Sequence, residues 1–189
     1  MENSGSFQIA TDTGIRQQYF DLRAAEYQRT FGFDGSWLKQ EDGYDRAGTI
    51  IVYIEGGKVL AGARINFCTP ASPLRLPMEY GGFTLQTALP EFGLANRRYA
   101  EVSRLSVAAE RQKGELIIRL LDMLHDYARA NETPLVFCIC SRKNARLYRI
   151  MAANNRMPDK CFLILEKVAM ASQYGIDMSL CLFHEKGAI

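Results

Sequence analysis

The stretch Tyr99-Ala100-Glu101-Val102-Ser103-Arg104-Leu105-Ser106-Val107, with Arg111-Gln112-Lys113-Gly114-Glu115-Leu116 just beyond it, decides how this chain is read. The first segment is apolar enough for a strand, yet it holds an acid and a base. In the second, a glycine turn opens an amphipathic helix predicted over residues 114–130, because Leu116, Ile117, Leu120, Leu121, Leu124 and Tyr127 recur at a helical period. Such a turn leaves free N–H groups and the positive end of the helix dipole facing outward, which suits an anion. Pro134 stops the helix, and Leu135–Cys140 is a short apolar run suited to a sheet interior.

Working outward, Thr13–Thr30 reads as a helix capped by Thr11 or Thr13, after a loose lead-in over residues 1–12. Gly32, Gly35 and Gly43 mark a loop from Phe31 to Arg46. Thr49–Ile54 and Lys58–Phe67 are strands joined at Gly56-Gly57, a hairpin signal. Pro70, Pro73, Pro77, Gly81 and Gly82 make residues 69–83 a loop, and a short helix fits residues 84–92. Downstream, residues 142–153 form a helix, and Cys161–Val168 and Met178–Phe183 are closing strands. There is no repeat or linker, so residues 1–189 are expected to form one domain. Its class is α/β, a mixed, twisted central sheet flanked by helices.

Composition narrows the partners. A net charge of +2 gives no general attraction to nucleic acid. The five cysteines are odd in number and form no CxxC pair, so they read as buried free thiols of a reducing cytoplasm. His125 and His184 are far apart, so no metal site is expected. The first residues lack a signal-peptide pattern, and no run reaches the ~18 apolar residues of a membrane span, so no stable membrane insertion is expected.

The charged residues are the informative ones. A lone buried charge costs several kcal/mol, so acids and bases in apolar segments need partners. Arg23, Asp42, Asp45, Arg64, Glu101 and Arg104 are candidates for one ion-pair network; a surface loop beside an edge strand is the plainer alternative. An odd separation puts Glu101 and Arg104 on opposite faces of a regular strand, unless a bulge intervenes. On the helix at 142–153, Arg142, Arg146 and Arg149 share a face beside Lys143, either a solvated surface or a docking patch for an acidic protein.

These residues converge on a family. Arg111-x-x-Gly114-x-Leu116, the following helix and strand, and Asn144-Ala145-x-x-Leu147-Tyr148-Arg149 resemble the core of GNAT acyltransferases, whose central strands splay apart. Leu116 stands where that turn usually has a small residue. Leu22-Arg23 with Tyr27, Phe33, Asp42-Gly43-Tyr44-Asp45, Arg64 and Glu101-Val102-Ser103-Arg104-Leu105-x-Val107 resemble the acyl-homoserine lactone synthases and the long-chain N-acyl amino acid synthases. The lactone synthases usually show Trp at the Phe33 position and Phe at Leu105. Leu76-Pro77-Met78-Glu79 and the Ser-Arg-Leu-x-Val wording lean to the amino acid branch.

The resemblance implies acyl transfer from a phosphopantetheine-borne thioester on acyl carrier protein to an amine, with no tightly bound cofactor. The acceptor is an amino acid or, on the lactone-synthase alternative, S-adenosylmethionine; a non-catalytic carrier- or ligand-binding module is the alternative of another class. Glu101 is then the candidate base, with Ser103 beside it and backbone N–H groups from Leu105 to Val107 as the oxyanion hole. Arg23, Asp42, Asp45, Arg64 and Arg104 would bind the acceptor and order the N-terminal segment. Arg111, Lys113, Gly114, Arg142, Lys143 and Arg146 would meet the carrier. Phe67, Met78, Phe83, Leu105, Phe137, Ile139, Tyr148 and Met151 are candidates for an acyl tunnel.

Overall fold

The structure, a computed structural model, describes residues 5–32, 34–111, 115–157, 159–170 and 177–187. In chain order its elements are β1 (Ser6–Ile9), α1 (Thr13–Phe31), α2 (Gly43–Ala47), β2 (Thr49–Glu55), β3 (Lys58–Cys68), α3 (Leu85–Ala88), β4 (Tyr99–Val107), α4 (Leu116–Ala130), β5 (Leu135–Ser141), α5 (Arg142–Met151), β6 (Lys160–Met170) and β7 (Met178–Glu185). Short helical turns fall at Ser36–Lys39, Pro90–Phe92, Leu94–Asn96, Ala109–Arg111 and Ala152–Arg156. The strands form one mixed sheet in the order β1-β2-β3-β4-β5-β7-β6. Among the described residues, no helix is long and apolar enough to cross a membrane.

The first residues are not a loose lead-in. Ser6–Ile9 pairs antiparallel with β2, from Ser6 opposite Ile54 to Ile9 opposite Ile51. Ile9 is largely exposed, so this short edge strand is held by its ladder and by the Phe7–Tyr53 ring contact at 5.1 Å rather than by burial. With no buried face it carries no alternation for sequence reasoning to detect. The cap of α1 is Asp12, not Thr11 or Thr13: its carboxylate accepts from Ile15 N–H at 3.0 Å. The helix ends at Gly32, whose φ of 73° suits the left-handed cap that glycine adopts freely. Beyond it, the predicted loop contains the turn at Ser36–Lys39 and the five-residue helix α2. Phe33 lies outside the described residues.

The chain divides into two compact units, Met1–Ile65 with Val102–Leu124, and Asn66–Glu101 with His125–Ile189. In the first, α1 lays Tyr19 and Phe20 against Ile50, Val52 and Val59 of the β2–β3 hairpin. Gly62 makes this seat possible, because a Cβ there would stand 2.7 Å from the Tyr19 ring. In the second, β5 and β7 pair antiparallel along Leu135–Ser141, and their apolar side chains pack with Leu76, Met78, Leu85 and Tyr99. Met78 and Phe137, two of the tunnel candidates, are buried members of this cluster, and Phe83 and Ile139 pack against it.

β4 and β5 run parallel but share only three ladder positions, Tyr99–Leu135, Ala100–Val136 and Glu101–Phe137. Both strands continue past that point, β4 to Val107 and β5 to Ser141. The β4–β5 ladder therefore ends at Glu101.

The Tyr19 seat predicts that Gly62→Ala overpacks the first unit. Thermal melts should show a destabilisation of about 1–3 kcal/mol. An unchanged midpoint would mean that the Tyr19 ring is free to move aside.

Candidate active site

The Asp42-x-x-Asp45 spacing builds a reciprocal cap at the start of α2. Asp42 Oδ1 accepts from Asp45 N–H at 2.7 Å, and Asp45 Oδ2 accepts from Asp42 N–H at 3.0 Å. The pair is then clasped by two arginines. Arg23, from α1, donates from Nη1 to both Asp45 oxygens at 2.9 Å, from Nε to Leu38 O at 2.5 Å and from Nη2 to Gln40 O at 2.7 Å. Arg64, from β3, donates from Nη1 to Asp42 at 2.9 and 3.0 Å and to Asp45 at 3.0 Å, and from Nε to Ser103 Oγ at 3.1 Å. Arg23 stacks on Phe20 at 4.4 Å, and Arg64 lies over Tyr44 at 5.5 Å. Arg23, Asp45 and Arg64 are at most 1% exposed. All three are closed to solvent and paired with one another. Asp42 keeps a partly exposed edge. Burial pushes the Asp42 carboxyl up, but the Arg64 guanidinium and the Asp45 N–H outweigh it and hold it below its ordinary range.

The clasp reaches β4 through Ser103, whose hydroxyl is an acceptor here. The next residue, Arg104, has φ 57°, a left-handed conformation unusual outside glycine and costly in a strand. Its displaced carbonyl is satisfied twice, by the Tyr19 hydroxyl at 2.8 Å and by Ser106 Oγ at 3.2 Å. The Arg104 guanidinium lies over the Trp37 ring at 4.8 Å and over the Tyr27 ring at 5.6 Å. The left-handed residue is Arg104 itself, at the far end of the Glu101–Arg104 interval.

Glu101 is 4% exposed and accepts from Met78 N–H at 2.7 Å. Buried Glu79 binds the same loop, accepting from Leu76 N–H at 2.9 Å and from Leu85 N–H at 2.8 Å. Two carboxylates therefore hold a Pro/Gly-rich segment that has little regular structure of its own. Of the other β4 candidates, Leu105 is half-buried and Val107 is buried.

The expected carrier-binding residues are on the surface. Arg142, Lys143 and Arg146 are exposed on α5, as are Leu147 and Ile150. Arg142 approaches Asp177 at 3.8 Å, an exposed and weak contact. Arg111 pairs with Glu55. Lys113 and Gly114 lie outside the described residues. Tyr19 and Trp37 carry no sequence-based expectation, yet both touch Arg104. The available signal was helical spacing: Tyr19, Arg23 and Tyr27 recur every four residues and share one face of α1.

The family model described as N-acyl amino acid synthase FeeM matches residues 18–160. No curated protein matches the chain. Among solved structures, FeeM, an N-acyl amino acid synthase from uncultured soil microbes, is similar with a TM-score of 0.68 at 14% identity, over 96% of this chain and 91% of that one. The acyl-homoserine lactone synthase BjaI, described as CoA-dependent and solved with SAM and isopentyl-CoA, gives a TM-score of 0.62 at 16% identity, over 92% and 77%. A GNAT-family acetyltransferase from Brucella melitensis, in complex with acetyl-CoA, gives 0.54 at 9% identity, over 77% and 82%. At these identities the structures speak for the fold alone, and that fold is GNAT-like.

Two outcomes are expected for the clasp. Arg23→Met leaves a carboxylate buried with half its charge partners, and urea unfolding should show a loss of about 3–5 kcal/mol; Arg23→Lys should not restore it, since an ammonium cannot serve both Asp45 and the two carbonyls. Asp42 has a depressed pKa in the folded state, so its contribution is full above the unfolded value of about 4 and is lost as pH falls through the folded value. Melts between neutral and acid pH should therefore fall more steeply for the native chain than for Asp42→Asn; parallel curves would remove Asp42 from the clasp.

Proposed function

The chain belongs to the N-acyl amino acid synthase FeeM family and is an acyltransferase, and from that premise we propose that it moves a long-chain acyl group from acyl carrier protein to the amino group of an amino acid. The observation that carries the reading is β4 itself. Its ladder with β5 ends at Glu101, and its backbone then turns at Arg104 under the hold of Tyr19 and Ser106. That is what supports placing the reacting thioester beside this strand.

The reaction is aminolysis of a thioester. Glu101 takes a proton from the acceptor ammonium, directly or through one water. The freed amine attacks the thioester carbonyl carbon, and the developing oxyanion is met by backbone N–H groups between Leu105 and Val107. Collapse forms the amide, breaks the carbon–sulfur bond and releases the phosphopantetheine thiolate, which takes up the second proton that the attacking nitrogen loses. Ser103 donates no nucleophile in this scheme; its oxygen is committed to Arg64. Asp42 and Arg104 are the members of the charged set with exposure enough to meet the acceptor, while Arg23, Asp45 and Arg64 order the segment that presents it. Arg142, Lys143 and Arg146, with Leu147 and Ile150 exposed on the same helix, supply a basic and apolar surface for an acidic carrier.

A second reading, an acyl-homoserine lactone synthase that takes S-adenosylmethionine or draws on a coenzyme A thioester, is favoured by the likeness to BjaI. Purified chain supplied with acyl carrier protein, acyl coenzyme A, amino acids and S-adenosylmethionine separates these readings by mass spectrometry. N-acyl amino acid formed from the carrier thioester supports the proposal, and lactone, or product from coenzyme A alone, replaces it.

Glu101→Gln keeps an acceptor for Met78 N–H, so the fold should persist while kcat falls by about 10²–10⁴. Activity near the native level would remove Glu101 as base. Arg142→Glu with Arg146→Glu should raise KM for the carrier roughly 3- to 30-fold and leave kcat in place, as expected for rim charges worth up to about 1 kcal/mol each. An unaltered KM would move the docking surface elsewhere.

A further inference from the structure

The ladder between β5 and β7 gathers three of the five cysteines onto one face of the sheet. Cys138 and Cys181 are directly opposed, and Cys140 lies two residues beyond Cys138, on the same side. The sulfurs converge: Cys140 Sγ and Cys181 Sγ are 3.8 Å apart, and all three lie within 4.8 Å of one another. Zinc–thiolate bonds are about 2.3 Å long, so two sulfurs on one ion stand about 3.8 Å apart in a tetrahedral site and about 4.0 Å in a trigonal one. The trio is thus within small side-chain rotations of a coordination geometry. The adjoining pairs, Val136–Phe183 and Phe137–Leu182, are wholly apolar, so packing alone does not call for three thiols here. Cys181 is buried, whereas Cys138 and Cys140 are partly exposed.

We infer that Cys138, Cys140 and Cys181 form a binding site for a thiophilic, filled-shell cation of the zinc class, with three thiolates from the protein and a fourth position open to water. Each thiol gives its proton to solvent and its electron pair to the ion; nothing is oxidised or reduced. The ion ties β5 to β7 inside the second unit.

The test uses the reduced, metal-stripped full chain titrated with cadmium(II) and zinc(II). One equivalent of cadmium should produce thiolate-to-metal charge-transfer absorbance, zinc should displace it, and one equivalent of zinc should raise the melting midpoint. Cys140→Ala should weaken binding at least ~10-fold, a loss of ~1.4 kcal/mol, and Cys161→Ser should bind like the native chain. Alkylation of the native chain mapped by mass spectrometry needs no variant: zinc should protect Cys138 and Cys140. The proposal is overturned by the absence of a stoichiometric band, by equal affinity in Cys140→Ala, by alkylation that zinc does not slow, or by mild oxidation giving a Cys140–Cys181 disulfide in a chain that binds no metal.

Discussion

A carboxylate with no solvent contact, Asp45, held between two arginines that are themselves buried, is the constraint on which the rest of the first unit depends. Such a group is tolerable only when every charge and every donor is answered, since the desolvation of each ion is worth several kcal/mol. The answer comes from three separate parts of the chain. α1 brings Arg23, β3 brings Arg64, and the turn before β2 brings both aspartates already locked into a reciprocal cap. Arg23 also takes up the carbonyls of Leu38 and Gln40, so the segment that leads into α2 has its backbone satisfied by the same guanidinium.

From that clasp the order passes to β4 by two routes. Arg64 fixes the Ser103 hydroxyl, and the Tyr19 hydroxyl, one helical turn before Arg23, fixes the Arg104 carbonyl. A left-handed residue inside a strand persists only where its surroundings hold it; here two hydroxyls accept that task, and two aromatic rings cover the guanidinium. In the second unit a comparable economy holds the loop after β3, where Glu79 and Glu101 tie down N–H groups that no ladder serves. Glu101 is therefore both a support for that loop and the acid at the point where the β4–β5 ladder ends.

Much of the fold was legible because burial imposes a period. The stripe of Leu116, Leu120 and Leu124 marks α4, and the apolar run Leu135–Cys140 marks β5, since each buries a continuous face. β1 was not legible, because four mostly exposed residues leave no such trace. Asp42-x-x-Asp45 and Glu-x-Ser-Arg stood out as spacings. Their partners did not: Arg23, Asp42, Asp45 and Arg64 close into one clasp, and Glu101 accepts from Met78 N–H.

The sequence by itself determined the order of the longer elements from α1 onward, the mixed α/β class, the family and the identity of the charged residues that matter, because these are encoded in local periods and short spacings. Tertiary structure alone decided which of those charges are closed to solvent, that Tyr19 is a polar anchor and Trp37 a cover for Arg104, and that Cys138, Cys140 and Cys181 share one face. The physical reason is distance along the chain. A hydrogen bond between residues 19 and 104, or a cluster of sulfurs from strands forty residues apart, depends on sheet register and on the burial that surrounds it, and neither is written in any short run of residues.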